Sequence, residues 1–92
     1  MSHYIAVIHK EPDSGFGVSF PDVPGIIAIA DTLDSALHEA SVALGFAFED
    51  WQGALPVSRS LDDLQADEEF LASAKGAVVA AVIPAPSLAN AA

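Results

Sequence analysis

The sequence predicts an α+β domain with elements in the order β-β-β-α-β: a small antiparallel sheet packed by one long helix plus a short helical segment. Three observations predict it. The first thirty residues carry short apolar runs separated by Pro, Gly and Asp, the pattern of a hairpin extended into a meander. From Thr32 the apolar residues recur at helical spacing. Near the end an uninterrupted apolar run returns between a glycine and a proline. The chain has 92 residues and is 52% hydrophobic, which suits a single core, since a chain of this length buries roughly 65% of its unfolded surface. The domain is assigned to residues 1–84, and the Ala- and Pro-rich residues 85–92 read as a loose tail.

Tyr4-Ile5-Ala6-Val7-Ile8-His9 is rich in β-branched and aromatic residues, and Glu11-Pro12-Asp13-Ser14-Gly15 follows it with turn chemistry. The returning segment alternates, so Phe16, Val18 and Phe20 share one face while Gly17 and Ser19 share the other. Phe20-Pro21-Asp22-Val23-Pro24-Gly25 then interrupts pairing, because proline offers no N–H to a ladder. Pro24-Gly25 suits the central positions of a type II turn, and Asp22 is placed to receive nearby backbone N–H groups. Ile26 to Ala30 forms the third strand.

Leu33, Leu37, Ala40, Leu44, Ala47, Phe48 and Trp51 step along one side of a helix of about 18 residues, with Asp31 or Thr32 as N-cap and Asp34 in the first turn. Val42 and Phe46 fall off that stripe, which calls for a second element or a partner on the flank. Ser60, followed three residues later by an acid, starts a short helix. Asp67 caps a further turn with Phe70 and Leu71 as inward candidates, and Lys75-Gly76 ends it. Ala77 to Ile83 is apolar throughout, as expected of a strand central in the sheet or at a subunit contact.

Charge limits function further. Thirteen acids face Lys10, Arg59 and Lys75 alone, for a net charge of −10. Direct nucleic-acid binding is not expected, because three scattered bases make no basic stripe. Solubility or a basic partner explains the acidity. The apolar runs fall short of the roughly 20 residues that span a bilayer, no signal peptide is evident, and a cytoplasmic location is expected. There is no cysteine, hence no disulfide or thiolate site.

No catalytic pattern emerges. His3 and His9 sit near opposite ends of one strand and His38 on the polar side of the helix, without shared ligand spacing. Asp13, Asp22 and Asp31 lie where turns and caps place aspartate, and a metal set would require them to converge. No serine has a nucleophile-elbow context, and Gly15-Phe16-Gly17 belongs to a hairpin rather than a phosphate loop. No cofactor is expected. Elimination leaves surfaces. Helices in so small a domain are expected to hide one sheet face, and if Ile5, Val7, Ala28 and the last strand line the other face or an edge, a homodimer or higher homo-oligomer shields it.

Tyr4-Ile5-Ala6-Val7, the acidic turn Glu11 to Phe16, Phe20-Pro21-Asp22-Val23-Pro24-Gly25 and Asp31-Thr32-Leu33-Asp34-Ser35-Ala36-Leu37-His38-Glu39-Ala40 stand in an order that resembles the HicB-type antitoxin family over Tyr4 to about Pro84. Ile26 stands where the family often has cysteine, and Ala30 where it often has glycine. The resemblance implies a partial ribonuclease-H-like domain without catalysis, which binds and occludes a small basic HicA-type mRNA-cleaving toxin. Candidate toxin contacts under that reading are the acids Glu11, Asp13, Asp22 and Glu39. Many members of the family append a DNA-binding module that represses their own operon; only nine residues follow Ile83, so operator binding by this chain alone is not expected. A HicB-fold scaffold serving another protein partner and a small Asp-based metalloenzyme are the competing readings.

Overall fold

The computed structural model describes residues 3–12 and 15–85. Strands β1 (Tyr4–Glu11), β2 (Gly15–Ser19) and β3 (Ile27–Ala30) precede helix α1 (Leu33–Glu49); short helices α2 (Leu61–Leu64) and α3 (Glu68–Ala74) lead to strand β4 (Val78–Val82). The sheet order is β3-β2-β1-β4, and every neighbouring pair is antiparallel. The tip of the first hairpin, with Asp13 and Ser14, lies outside the described residues, as do residues 86–92 of the expected tail.

The turn after β2 folds as its residues dictate. Val23 N–H donates to the Phe20 carbonyl at 3.2 Å, and Ile26 N–H donates to the Val23 carbonyl at 3.4 Å. Pro24 and Gly25 occupy the centre of that second turn, where Gly25 adopts φ +98°, a conformation costly for any residue with a Cβ. Val23 is fully buried between the two reversals. Helix α1 begins where Thr32 accepts the Ser35 N–H at 3.1 Å, so Thr32 rather than Asp31 is the cap. Ser60 caps α2 through the Asp63 N–H, and Asp67 caps α3 through the Glu69 N–H.

Cross-strand register assigns the two faces. Ile8, Val18 and Ala28 form one row across β1, β2 and β3, all buried beside Ala36, Ala40 and Leu44 of α1. Burying such side chains stabilises the fold by roughly 1.5–3 kcal/mol for each Val, Leu or Ile. The opposite face carries Val7, paired with Val79 of β4 and Ser19 of β2. There Val7, Leu64 and Phe70 form a smaller buried cluster with Ile5, Ala74, Ala77 and Val79 packed around it.

Two expectations are corrected. Helices lie on both faces of the sheet, not one, because the short pair α2–α3 crosses beneath β1; Ala28 belongs to the α1 face, whereas Ile5 and Val7 belong to the other. The apolar run of β4 does not make it central: it is an edge strand, since β2 already occupies the other side of β1. Its continuous hydrophobicity reflects two coverings, with Ala80 and Val82 turned to the α1 cluster and Ala77 and Val79 to the α2–α3 cluster.

Two segments strap the elements together. At the end of α1, Phe48 packs against Tyr4 at 5.3 Å and edge-on against Trp51 at 5.5 Å, and beyond the helix the Pro56 carbonyl accepts the Tyr4 hydroxyl at 2.7 Å. Past β4, the Ser41 hydroxyl donates to the Ile83 carbonyl at 2.6 Å and Ala85 N–H donates to the Ser41 carbonyl at 2.9 Å. Gly45 permits this approach, because a Cβ there would collide with the Ala85 carbonyl. Residue 85, assigned from sequence to the tail, is thus tied to α1. Phe46 stays 60% exposed.

Candidate functional site

Of the four acids singled out in the sequence, the three that are described, Glu11, Asp22 and Glu39, do not converge. Glu11 ends β1 on the α2–α3 face, its carboxylate beside Gly17: a Cβ added to that glycine would lie 3.5 Å from Glu11 Oε1. Glu39 is exposed on α1, across the sheet from Glu11. Asp13 lies outside the described residues. Asp22 has an architectural partner, for its Oδ2 accepts the Arg59 backbone N–H at 2.7 Å and its Oδ1 accepts Arg59 Nε at 2.7 Å. With an 8% exposed side chain, Asp22 fastens the loop before α2 to the turn after β2. The sequence placed backbone N–H groups at Asp22 but sought them nearby; the donor comes from 37 residues along the chain.

Arg59 also donates from Nη1 to Asp67 Oδ2 at 3.0 Å, linking the turn, the α2 loop and the α3 cap. Donation to Asp22, then that to Asp67, holds the guanidinium proton more tightly than usual. The Arg59 bond, reinforced by the Glu69 N–H, pushes the Asp67 carboxyl below its ordinary value. No sequence signal paired Arg59 with these acids.

His9 Nε2 lies 2.7 Å from the Ser73 carbonyl and ties β1 to the end of α3. His38 is exposed on α1. Among the described residues no three His, Asp or Glu side chains are grouped to hold a metal ion, and no helix is long and apolar enough to cross a membrane.

What stands open is the β2–β3 half of the α2–α3 face. Gly17 and Ser19 sit opposite Ile29 and Ile27 in the register, and those isoleucines are 63% and 68% exposed. They border a trough of about 330 Å³ with His9 and Glu11 on its other side. At Ser19 the trough meets a second depression of about 170 Å³, lined by Phe70, Ser73, Asp67 and Glu69. The Ile-Ala alternation of residues 26–30 carried a signal for this surface. Ala28 and Ala30, with Ile26 just before the strand, pack toward α1, whereas Ile27 and Ile29 face solvent.

Solved structures resemble this fold closely. The Burkholderia pseudomallei antitoxin HicB matches with a TM-score of 0.68 and 25% identity over 97% of this chain and 66% of that one. Its N-terminal domain alone matches at 0.64 and 25% identity, over 87% of this chain and 94% of the domain. Antitoxin HicB3 matches at 0.67 and 23% identity over 94% of this chain and 64% of its own. The chain therefore spans about two thirds of the length of the HicB and HicB3 chains it matches. A comparison with curated proteins returns no match. The fold is a small α+β domain of the kind seen in these antitoxins. Residues 4–87 match the model of the HicB-like antitoxins of bacterial toxin–antitoxin systems, and the chain belongs to that family.

Proposed function

We propose that this chain neutralises a small basic mRNA-cleaving toxin of the HicA type by covering it, without catalysis of its own. The observation that carries the reading is the imbalance of free charge. Of the three bases, Arg59 is clasped by two carboxylates, which leaves only Lys10 and Lys75 as exposed cations, while acids such as Glu11 and Glu39 stay exposed in a chain of net charge −10. Such a surface steers a cationic partner, although affinity must come from apolar anchors, because exposed ion pairs contribute only about 0.2–1 kcal/mol each. Asp22, already engaged by Arg59, contributes to this surface by holding it in shape rather than by touching the toxin.

The same reading includes a homo-oligomer in the cytoplasm. Edge strand β4 supports it, with Val78 44% exposed and Ile83 just beyond it 41% exposed, since a free apolar edge favours pairing with another chain.

The test is co-expression with the short basic protein encoded in the neighbouring reading frame. Growth should be rescued, and the two proteins should purify together. Failure to rescue growth against HicA-type toxins, with capture of some unrelated protein instead, would replace this reading with that of a HicB-fold scaffold. Light scattering should give a mass above that of one chain; a monomer at micromolar concentration would remove the oligomer.

A further inference from the structure

The open half of the α2–α3 face has a definite shape and sign. Its floor is low because Gly17 and Ser19 present almost no side chain, and its outer bank is the pair Ile27 and Ile29 on edge strand β3. Glu11 stands at one end, and Glu69 lines the adjoining depression at the other. No lysine or arginine lines the trough, and Arg59, in the adjoining depression, is neutralised by Asp22 and Asp67. Two neighbouring, largely exposed isoleucines over a small-residue floor are an apolar contact surface. Acids at both ends select what can lie there.

We infer that this trough is the docking site for a basic polypeptide segment with an apolar stripe, the stripe seated against Ile27 and Ile29 and its cations reaching Glu11 and Glu69. The inference rests on the reading of the chain as an antitoxin of a basic toxin, and it says which surface receives that toxin and by what chemistry. Charge decides against a second copy as occupant. A chain of net charge −10 placed face to face with itself would bring like carboxylates together without a free cation between them. A basic segment meets an anchor and two counter-charges. The isoleucines supply most of the affinity and the acids most of the association rate.

The experiment measures binding of a catalytically inactive HicA-type toxin, from the neighbouring reading frame, to the full chain by surface plasmon resonance. The wild type is compared with Gly17→Val, with the double variant Ile27→Ser/Ile29→Ser, with Glu11→Lys/Glu69→Lys and with a control, Val57→Ser, at an exposed position outside the trough. Gly17 has room for a Cβ at ordinary contact distance and no positive φ, so Gly17→Val fills the trough without straining the backbone. Circular dichroism of each variant confirms the fold. Gly17→Val and the isoleucine variant should each bind at least about 100-fold more weakly. The charge-reversal variant should associate about tenfold more slowly at low salt with a flatter salt dependence, and Val57→Ser should bind as the wild type does. If the wild type binds and both trough variants bind equally well, the docking site lies elsewhere while the antitoxin reading stands. If the wild type does not bind, the antitoxin reading falls and the docking assignment with it. Self-association of the wild type that the trough variants abolish, seen by analytical ultracentrifugation, would make a second copy the occupant and overturn the assignment.

Discussion

The two faces of the sheet are built from similar strands but finished differently. On one, a helix of 17 residues, about 25 Å long, runs beside a continuous core that includes Tyr4, Ile8, Val18, Phe20, Ala28 and Val82. On the other, helices of four and seven residues seal only Val7 and its neighbours and leave the β2–β3 half bare. The difference teaches that buried and exposed apolar surface are divided between the faces. The α1 face holds the domain together, and the other face keeps apolar surface available.

The sharpest way to break this comparison is to hollow out each face in turn. Leu44→Ala, at a position with no exposure, should destabilise the fold by about 2–5 kcal/mol in urea denaturation, and Leu64→Ala should fall at the low end of that range. Equal costs would mean that the second layer is as integral as the first. Next in size is Asp22→Ala, which leaves the Arg59 backbone N–H without its acceptor and should cost about 1–3 kcal/mol. Amide exchange should then quicken in residues 59–67 more than in α1; the reverse pattern would show that the clasp does not organise the second layer.

Acid titration reads the same clasp from Asp67. Its folded-state carboxyl lies below the ordinary value of 3.8, so its contribution is complete above about pH 3.8 and disappears as the pH falls through the lowered value. The wild type should lose stability along that acid limb slightly more than Asp67→Asn does, as followed by thermal melts between pH 5 and pH 2. Smallest of all should be Ile27→Ser/Ile29→Ser, within about 0.5 kcal/mol for each exposed position. A large loss there would mean that the isoleucines serve the fold, and the division between the faces would fail.

Much of the fold was legible in the residues. The reversal at Pro24-Gly25, the helix after Thr32 and the caps Ser60 and Asp67 follow from φ limits, N–H satisfaction and apolar period, all of which are local. The family was legible too, because its motifs lie in order along the chain. The candidate surface was less so. Glu11 was singled out by its exposed turn position, but Glu39 was grouped with it although the helix carries that residue to the other side of the sheet. Arg59 gave no sign of its attachment to Asp22, since a contact across 37 residues leaves no periodicity to read.

By itself the sequence determined the order and type of the strands and helices, the acidity of the chain and the family to which it belongs, because these depend on neighbouring residues and on composition. Only the tertiary structure decided that β4 is an edge, that α2 and α3 cover half of a face, and that β3 turns its alanines inward and its isoleucines out. The physical reason is packing. Helix α1 brings Ala36 and Ala40 against the same core as Ala6 and Ala28, a close approach that favours small side chains between the layers and leaves the larger ones on the open side.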